Sequence, residues 1–166
     1  MDIVTSGKSI LLRPMTQKEH RALWRKYTPD PASGEKFVYD EQKADELFAA
    51  LEEKSDWCPA AGIFTKTDEI IGMVRLVNVV YSENRADVFF LIASESLRGK
   101  GIGTEALRLL IKYARSEYRI NRFYASAPLS NKRAAKALEK CGFINSRVAK
   151  AACENGDDRL DYVLRF

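Results

Sequence analysis

Leu97-Arg98-Gly99-Lys100-Gly101-Ile102-Gly103-Thr104 lies between two segments of different period. Before it, Val88-Phe89-Phe90-Leu91-Ile92 is an unbroken apolar run of strand length. After it, Leu107, Leu110, Ile111 and Ala114 recur at a spacing that puts them on one helical face. The order is therefore buried strand, glycine-rich turn, helix. Glycines lack Cβ atoms, so the backbone can curl and a ligand can approach the main chain. The first amides of the following helix have no partner within it, and the helix dipole makes that end electropositive. Such a turn is suited to an anion, phosphate above all. Arg98 and Lys100 add positive charge at the same place.

Outward from the turn, the third helix runs to about Tyr118. Arg122–Ala127 is the next strand, ended by Pro128. Ser130 or Asn131 caps a fourth helix, Lys132–Lys140, which Cys141-Gly142 ends. Phe143–Ala152 and Leu160–Phe166 form a last strand pair, with the turn signal Asn155-Gly156 between them. On the other side, Ala86–Ala93 is the central strand. Ala61–Thr65 and Ile70–Leu76, the latter extendable to Tyr81, form a hairpin around Lys66–Glu69. Ser9–Arg13 is a first strand stopped by Pro14. Thr16 with Glu19 three residues on makes a capping box for a first helix bearing Ala22, Leu23 and Trp24. Pro29, Pro31 and Gly34 break the segment after it, and a second helix covers Asp40–Lys54. Antiparallel strands followed by strand–helix–strand–helix give an α+β class with a mixed sheet and helices on its faces. The crossover from the central strand to Arg122–Ala127 is expected to be parallel and right-handed.

A chain of 166 residues is expected to form a single domain, 1–166, with a sizeable core. Its 46% hydrophobic and 30% charged residues are ordinary for a soluble globular protein. A net charge of +4, with cations spread along the chain, argues against nucleic acid as a partner and is compatible with a small anionic ligand. Cys58, Cys141 and Cys153 fit neither a disulfide framework nor a zinc site, so no metal is expected. Reduced thiols in a cytoplasmic protein are the simplest account. No basic-then-apolar leader opens the chain, and no apolar run is long enough for a membrane span.

Two glycine motifs fail. A P-loop needs four residues between its glycines and then Gly-Lys-Ser/Thr, but here Gly99-Lys100 is followed by Gly101. Gly101-Ile102-Gly103-Thr104-Glu105-Ala106 could open a dinucleotide site, but the next strand ends Ser126-Ala127-Pro128 without the required carboxylate. A third match covers nearly the whole chain. Arg98-x-x-Gly101-x-Gly103 resembles the acetyl-CoA motif of the GCN5-related N-acetyltransferases (GNAT). Asn131-Lys132-Arg133-Ala134-Ala135-Lys136-Ala137-Leu138-Glu139-Lys140-Cys141-Gly142-Phe143 resembles the same family's Asn-x-x-Ala…Glu-Lys-x-Gly-Phe ending. Asn155–Leu164 looks like the last hairpin of the branch that includes ribosomal-protein and polyamine acetyltransferases.

The resemblance implies a mostly antiparallel mixed sheet of about seven strands with helices on both faces. It also implies transfer of an acetyl group from acetyl-CoA, as co-substrate, to a primary amine by direct attack in a ternary complex. The CoA pyrophosphate would lie on Arg98, Gly99, Lys100, Gly101, Ile102, Gly103 and Thr104. The pantetheine arm would pair with main chain at Leu91, Ile92 and Ala93 through a gap beside the central strand. The Leu91 N–H would polarise the thioester carbonyl. Asn131 matches a family CoA contact and is also a helix cap; Lys136 could meet a phosphate, though a solvated helix lysine is the commoner role. Asp87 stands where many relatives carry glutamate and would accept the amine's proton through water, with Glu83 the second candidate. Many relatives carry an acidic-proton tyrosine where this chain has Leu138, and the serine of the ribosomal-protein branch is Ala134 here; Tyr124 is the substitute donor. Cys141 reads as helix-end core and His20 as surface or core. Trp24, Tyr27 and Trp57 are candidates for the acceptor wall, and Asp30, Glu35, Asp40 and Glu41 for attracting a cationic amine. The acceptor would be a small molecule or a protein N-terminus, and a homodimer is compatible with the family. A CoA-binding sensor or interaction module without turnover is the alternative.

Overall fold

The computed structural model describes residues 2–166; Met1, where the reading for a leader began, lies outside them. The elements run β1 (Thr5–Ser6), β2 (Ile10–Arg13), α1 (Gln17–Lys26), α2 (Glu41–Glu53), β3 (Ala60–Thr65), β4 (Ile70–Val80), β5 (Arg85–Ile92), α3 (Ile102–Tyr118), β6 (Arg122–Pro128), α4 (Lys132–Lys140), β7 (Ile144–Ala149) and β8 (Arg159–Arg165). The strands form one sheet in the order β1-β2-β3-β4-β5-β6-β8-β7. Every neighbouring pair is antiparallel except β5–β6, the expected crossover. The α+β class holds. The sheet has eight strands rather than seven because Thr5 and Ser6 pair with Leu12 and Leu11 as a short edge.

Period-two alternation sorts the apolar side chains into two layers. Ala61, Ile63, Val74, Leu76, Ala86, Val88 and Ile92 join Leu107, Leu110 and Ala114 of α3 and Leu138 of α4 in the larger cluster. Phe64, Met73 and Leu91 turn to the opposite face, under Leu23 of α1 and Leu51 and Phe48 of α2. Thus α1 and α2 cover the β2–β5 half of one face, and α3 and α4 cover the other face. Each helix begins on a definable signal. Thr16 and Glu19 form the expected capping box, Asp40 accepts from the Lys43 N–H, and Asn131 accepts from the Ala134 N–H. Helix α3 differs: it starts at Gly101 with no side-chain cap.

His20 of α1 is part of the core, 1% exposed, with its ring against Trp24 and Phe48. Its Nε2 accepts from the Trp24 indole N–H at 3.0 Å. Burial pushes the imidazole down from 6.5 to about 4. The unfolded chain therefore binds the proton more readily than the folded one. Stability from the neutral ring is complete above about pH 6.5 and is lost as the pH falls toward 4, about 3 kcal/mol in all. Denaturant unfolding at pH 7 and pH 4 tests this. The stability gap between wild type and His20→Gln should shrink by about 2–3 kcal/mol at the lower pH; a gap independent of pH would contradict it.

Candidate active site

The turn before α3 depends on two left-handed glycines, Gly99 at φ 74° and Gly101 at φ 84°. A Cβ at either would meet no atom within 4 Å, so the space over the turn is open. The helix's own hydrogen bonding starts with Glu105 N–H to Gly101 C=O, 3.0 Å. The amides of Ile102, Gly103 and Thr104 precede that bond and have no capping side chain among the described residues. Gly103 is needed for packing instead: a Cβ there would stand 3.2 Å from the Phe90 ring.

These amides open into a groove of about 410 Å³ between the end of β5, the turn and α4. Gly99, Gly101, Ile102, Gly103, Thr104, Leu91, Ile92 and Asn131 all line it. Arg98 also borders the groove, but its guanidinium turns away. It donates to the carbonyls of Ile92 (3.1 and 2.9 Å), Ala93 (3.3 Å) and Thr28, and pairs with Glu95 at 3.1 Å. Its charge is thus committed to holding the chain, and only its main chain faces the turn. Lys100 is exposed at the turn and is not part of the groove lining. Ala93 is fully buried and likewise outside the lining, with its N–H on Ile71 and its carbonyl taking the Thr28 N–H. Positive charge enters instead from Arg133, Lys136 and Lys140 of α4. Arg133 and Lys140 escaped the sequence reading, although the 133–136–140 spacing marks one helical face. Arg133 also pairs with Glu95 at 2.5 Å, tying the start of α4 to the turn.

Parallel pairing of β5 with β6 stops at Asp87–Tyr124, so the two strands splay beyond it. The parity of β5 decides which amides face the split. Ala93 N–H donates to Ile71 C=O at 2.9 Å, which makes Ala93–Ile71 a hydrogen-bonded pair. By alternation Leu91–Met73 is the next such pair, while Phe90–Val74 and Ile92–Gly72 are not. The Leu91 N–H is therefore spent on β4, correcting the expectation for it. Phe90 presents its main chain to the split and Ile92 its N–H, the Ile92 carbonyl being held by Arg98. Gly72 permits the close β4 approach, since a Cβ there would collide with the Leu91 carbonyl oxygen.

Across the sheet, beyond the edge of α1 and α2, a second cavity of about 580 Å³ opens over β5, β6 and β8. Asp87, Phe89, Tyr124 and Ser126 line it, with Arg147, Arg159 and Asp161 at its far side. The two arginines face Asp161 at 3.1 and 2.7 Å, and the Arg159 hydrogen bond above all holds that carboxyl below its usual range. Asp87 has no cationic partner among the described residues; it accepts only from Asn78 Nδ2 at 2.6 Å, at a β4 bulge where Asn78 has φ 50°. The Tyr124 hydroxyl has no protein partner among the described residues. Glu83 lies outside this lining, in a short turn, paired with Arg85 at 2.6 Å.

Of the residues expected to wall an acceptor, Tyr27 and Asp30 border the groove. Tyr27 packs with Trp24 and Phe37, and burial, helped by Glu35, pushes its hydroxyl up to about 12. Asp40 is consumed as the α2 cap and Glu41 pairs with Arg21 at 3.0 Å. Trp57 is 69% exposed and borders neither cavity. The β7–β8 connection reaches the α1–α2 segment, with Asn155 Nδ2 3.4 Å from the Ser33 carbonyl.

An uncapped helix start beside a splayed parallel pair suits an extended ligand bearing phosphate, and comparison with known proteins makes the assignment. The acetyltransferase (GNAT) domain model matches residues 9–144, and the chain belongs to that family of N-acetyltransferases. Among curated relatives, Probable N-acetyltransferase YjcK of Bacillus subtilis (strain 168) is 28% identical over 156 residues, covering 87% of this chain and 85% of that protein. Among solved structures, RimL, a ribosomal alpha-N-protein acetyltransferase, superposes with a TM-score of 0.85 at 15% identity, over 100% of this chain and 96% of its own. The microcin self immunity acetyltransferase MccE, in complex with acetyl-CoA and AMP, gives 0.79 at 21% identity, over 96% and 94%. At those identities the structures speak for the fold. No helix among the described residues is long and apolar enough to cross a membrane.

Proposed function

We propose that residues 1–166 work as one domain that carries an acetyl group from acetyl-CoA to a primary amine in a ternary complex. The observation behind this is the split between β5 and β6, with uncapped amides at one mouth and a carboxylate without a cationic partner at the other. That MccE was solved with acetyl-CoA supports the choice of co-substrate. The diphosphate would sit on the amides of Gly99 to Thr104, with the α4 cations at the rim. The pantetheine arm would enter the split and pair with the main chain of Phe90 and the N–H of Ile92. An N–H there would carry the charge that builds on the thioester oxygen.

The amine would approach from the second cavity. Asp87 attracts the ammonium and takes its proton. It lies three residues, about 10 Å, from Phe90 along the strand, so the proton moves through water. The amine nitrogen then bonds to the carbonyl carbon, the C–S bond breaks with its electron pair on sulfur, the Tyr124 hydroxyl protonates the departing thiolate, and the second nitrogen proton returns through water to the Tyr124 oxygen. A protein N-terminus or a small polyamine would satisfy this chemistry; that RimL is named for a ribosomal protein supports the former.

Calorimetric titration with acetyl-CoA, followed by thiol release over a panel of primary amines and N-terminal peptides, tests the reading. Absence of acetyl-CoA binding at physiological concentration would end it. In the same assay Asp87→Asn should lower kcat about 100-fold while acetyl-CoA affinity stays unchanged. Unchanged turnover would remove Asp87 from the mechanism.

A further inference from the structure

A third cavity, about 670 Å³, shares no lining residue with either of the two above. It lies along the outer side of α3, against Cys141 and Phe166. Four cations line it, Arg108, Lys112, Arg115 and Arg119, and no aspartate or glutamate does. Arg108, Lys112 and Arg115, four and three residues apart, share one stripe of the helix about 10 Å long, and Arg119 follows as its left-handed C-cap. None has an acidic partner among the described residues. Like charges a turn apart repel, so the stripe is a cost to the isolated helix that an anion would relieve.

Two features separate this surface from an ordinary solvated face. The Arg115 guanidinium stacks 3.6 Å over the Phe166 ring, which is still 56% exposed. Phe166 is in turn held edge-on by Phe123, with centroids 6.2 Å apart at 88°. An aromatic platform fixed beside a line of cations is the pattern by which single strands are held, phosphates along the cations and a base on the ring. A single phosphate would need one turn of the stripe, not its whole length. An acidic peptide would leave the platform unused.

We propose that this face of α3 binds a single strand of nucleic acid. Fluorescence anisotropy with a labelled single-stranded RNA 12-mer reads it, independently of acetyl transfer. Four phosphate contacts predict that log affinity falls with log salt at a slope of about 3. Lys112→Gln, Arg115→Gln and Arg119→Gln combined should flatten the slope to about 1 and weaken binding at least about tenfold. Phe166→Ala should weaken binding about tenfold with the slope unchanged, because it removes a stacking surface and no charge. Thermal melting establishes that each variant is folded; if the combined variant is not, the wild-type slope and Phe166→Ala decide. Poly-glutamate competing as well as RNA, displacement by millimolar inorganic phosphate, or a flat wild-type slope would overturn the proposal.

Discussion

Gly101→Glu should lower affinity for acetyl-CoA at least about 100-fold, a loss of about 2.7 kcal/mol. Two effects add. The residue sits at φ 84°, a conformation that costs a side chain about 1–2 kcal/mol. The larger effect is on the ligand. Nothing of the protein lies within 4 Å of a Cβ at this position, so the new carboxylate does not collide with the fold; it occupies the space assigned to the diphosphate and repels it. Gly101→Asn separates the two, because asparagine tolerates the left-handed region and brings no charge. The comparison is made by calorimetric titration of both variants beside wild type, with melting curves as the check on folding. If Gly101→Glu binds within threefold of wild type while Gly101→Asn does also, the diphosphate is held elsewhere.

Arg98→Met should cost about 2–4 kcal/mol of stability, a fall of about 10 °C in Tm. The side chain is only 12% exposed and gathers the carbonyls of Ile92, Ala93 and Thr28 with the Glu95 carboxylate. Methionine fills the space and leaves the Ile92 and Thr28 carbonyls without that donor, while Ala93 keeps the Thr28 N–H and Glu95 keeps Arg133. Lysine does not restore them, since one ammonium cannot reproduce the planar fork that reaches three carbonyls. Thermal denaturation of Arg98→Met and Arg98→Lys gives the answer. An unchanged Tm together with a tenfold loss of acetyl-CoA affinity would show the guanidinium to be a phosphate ligand after all.

Arg98 also shows where reading a sequence stops. The glycine turn was legible because its signals are local: an apolar run, three glycines and a helical face within one stretch. The caps at Thr16 and Asn131 were legible for the same reason, whereas Asp40, read as part of the second helix, is its cap. The direction of the Arg98 side chain is set by Thr28, seventy residues away, which the fold brings to the end of β5. The parity of Leu91 depends on its register with Met73, and apolar periodicity does not fix that register. Glu83, the second candidate base, is turned by a tight bend onto Arg85, a direction that no local pattern announces. The cations of α3 looked scattered because they are apart in sequence; helical winding brings them into line.

The groove and the second cavity lie on opposite sides of the sheet, on either side of the place where β5 and β6 part. On the proposed assignment, donor and acceptor have separate doorways, so neither must wait for the other and either product can leave without crossing its partner's route. An inhibitor that plugs one doorway leaves the other free to load, whereas a compound joining both halves has to be threaded through the gap and is correspondingly slow to escape.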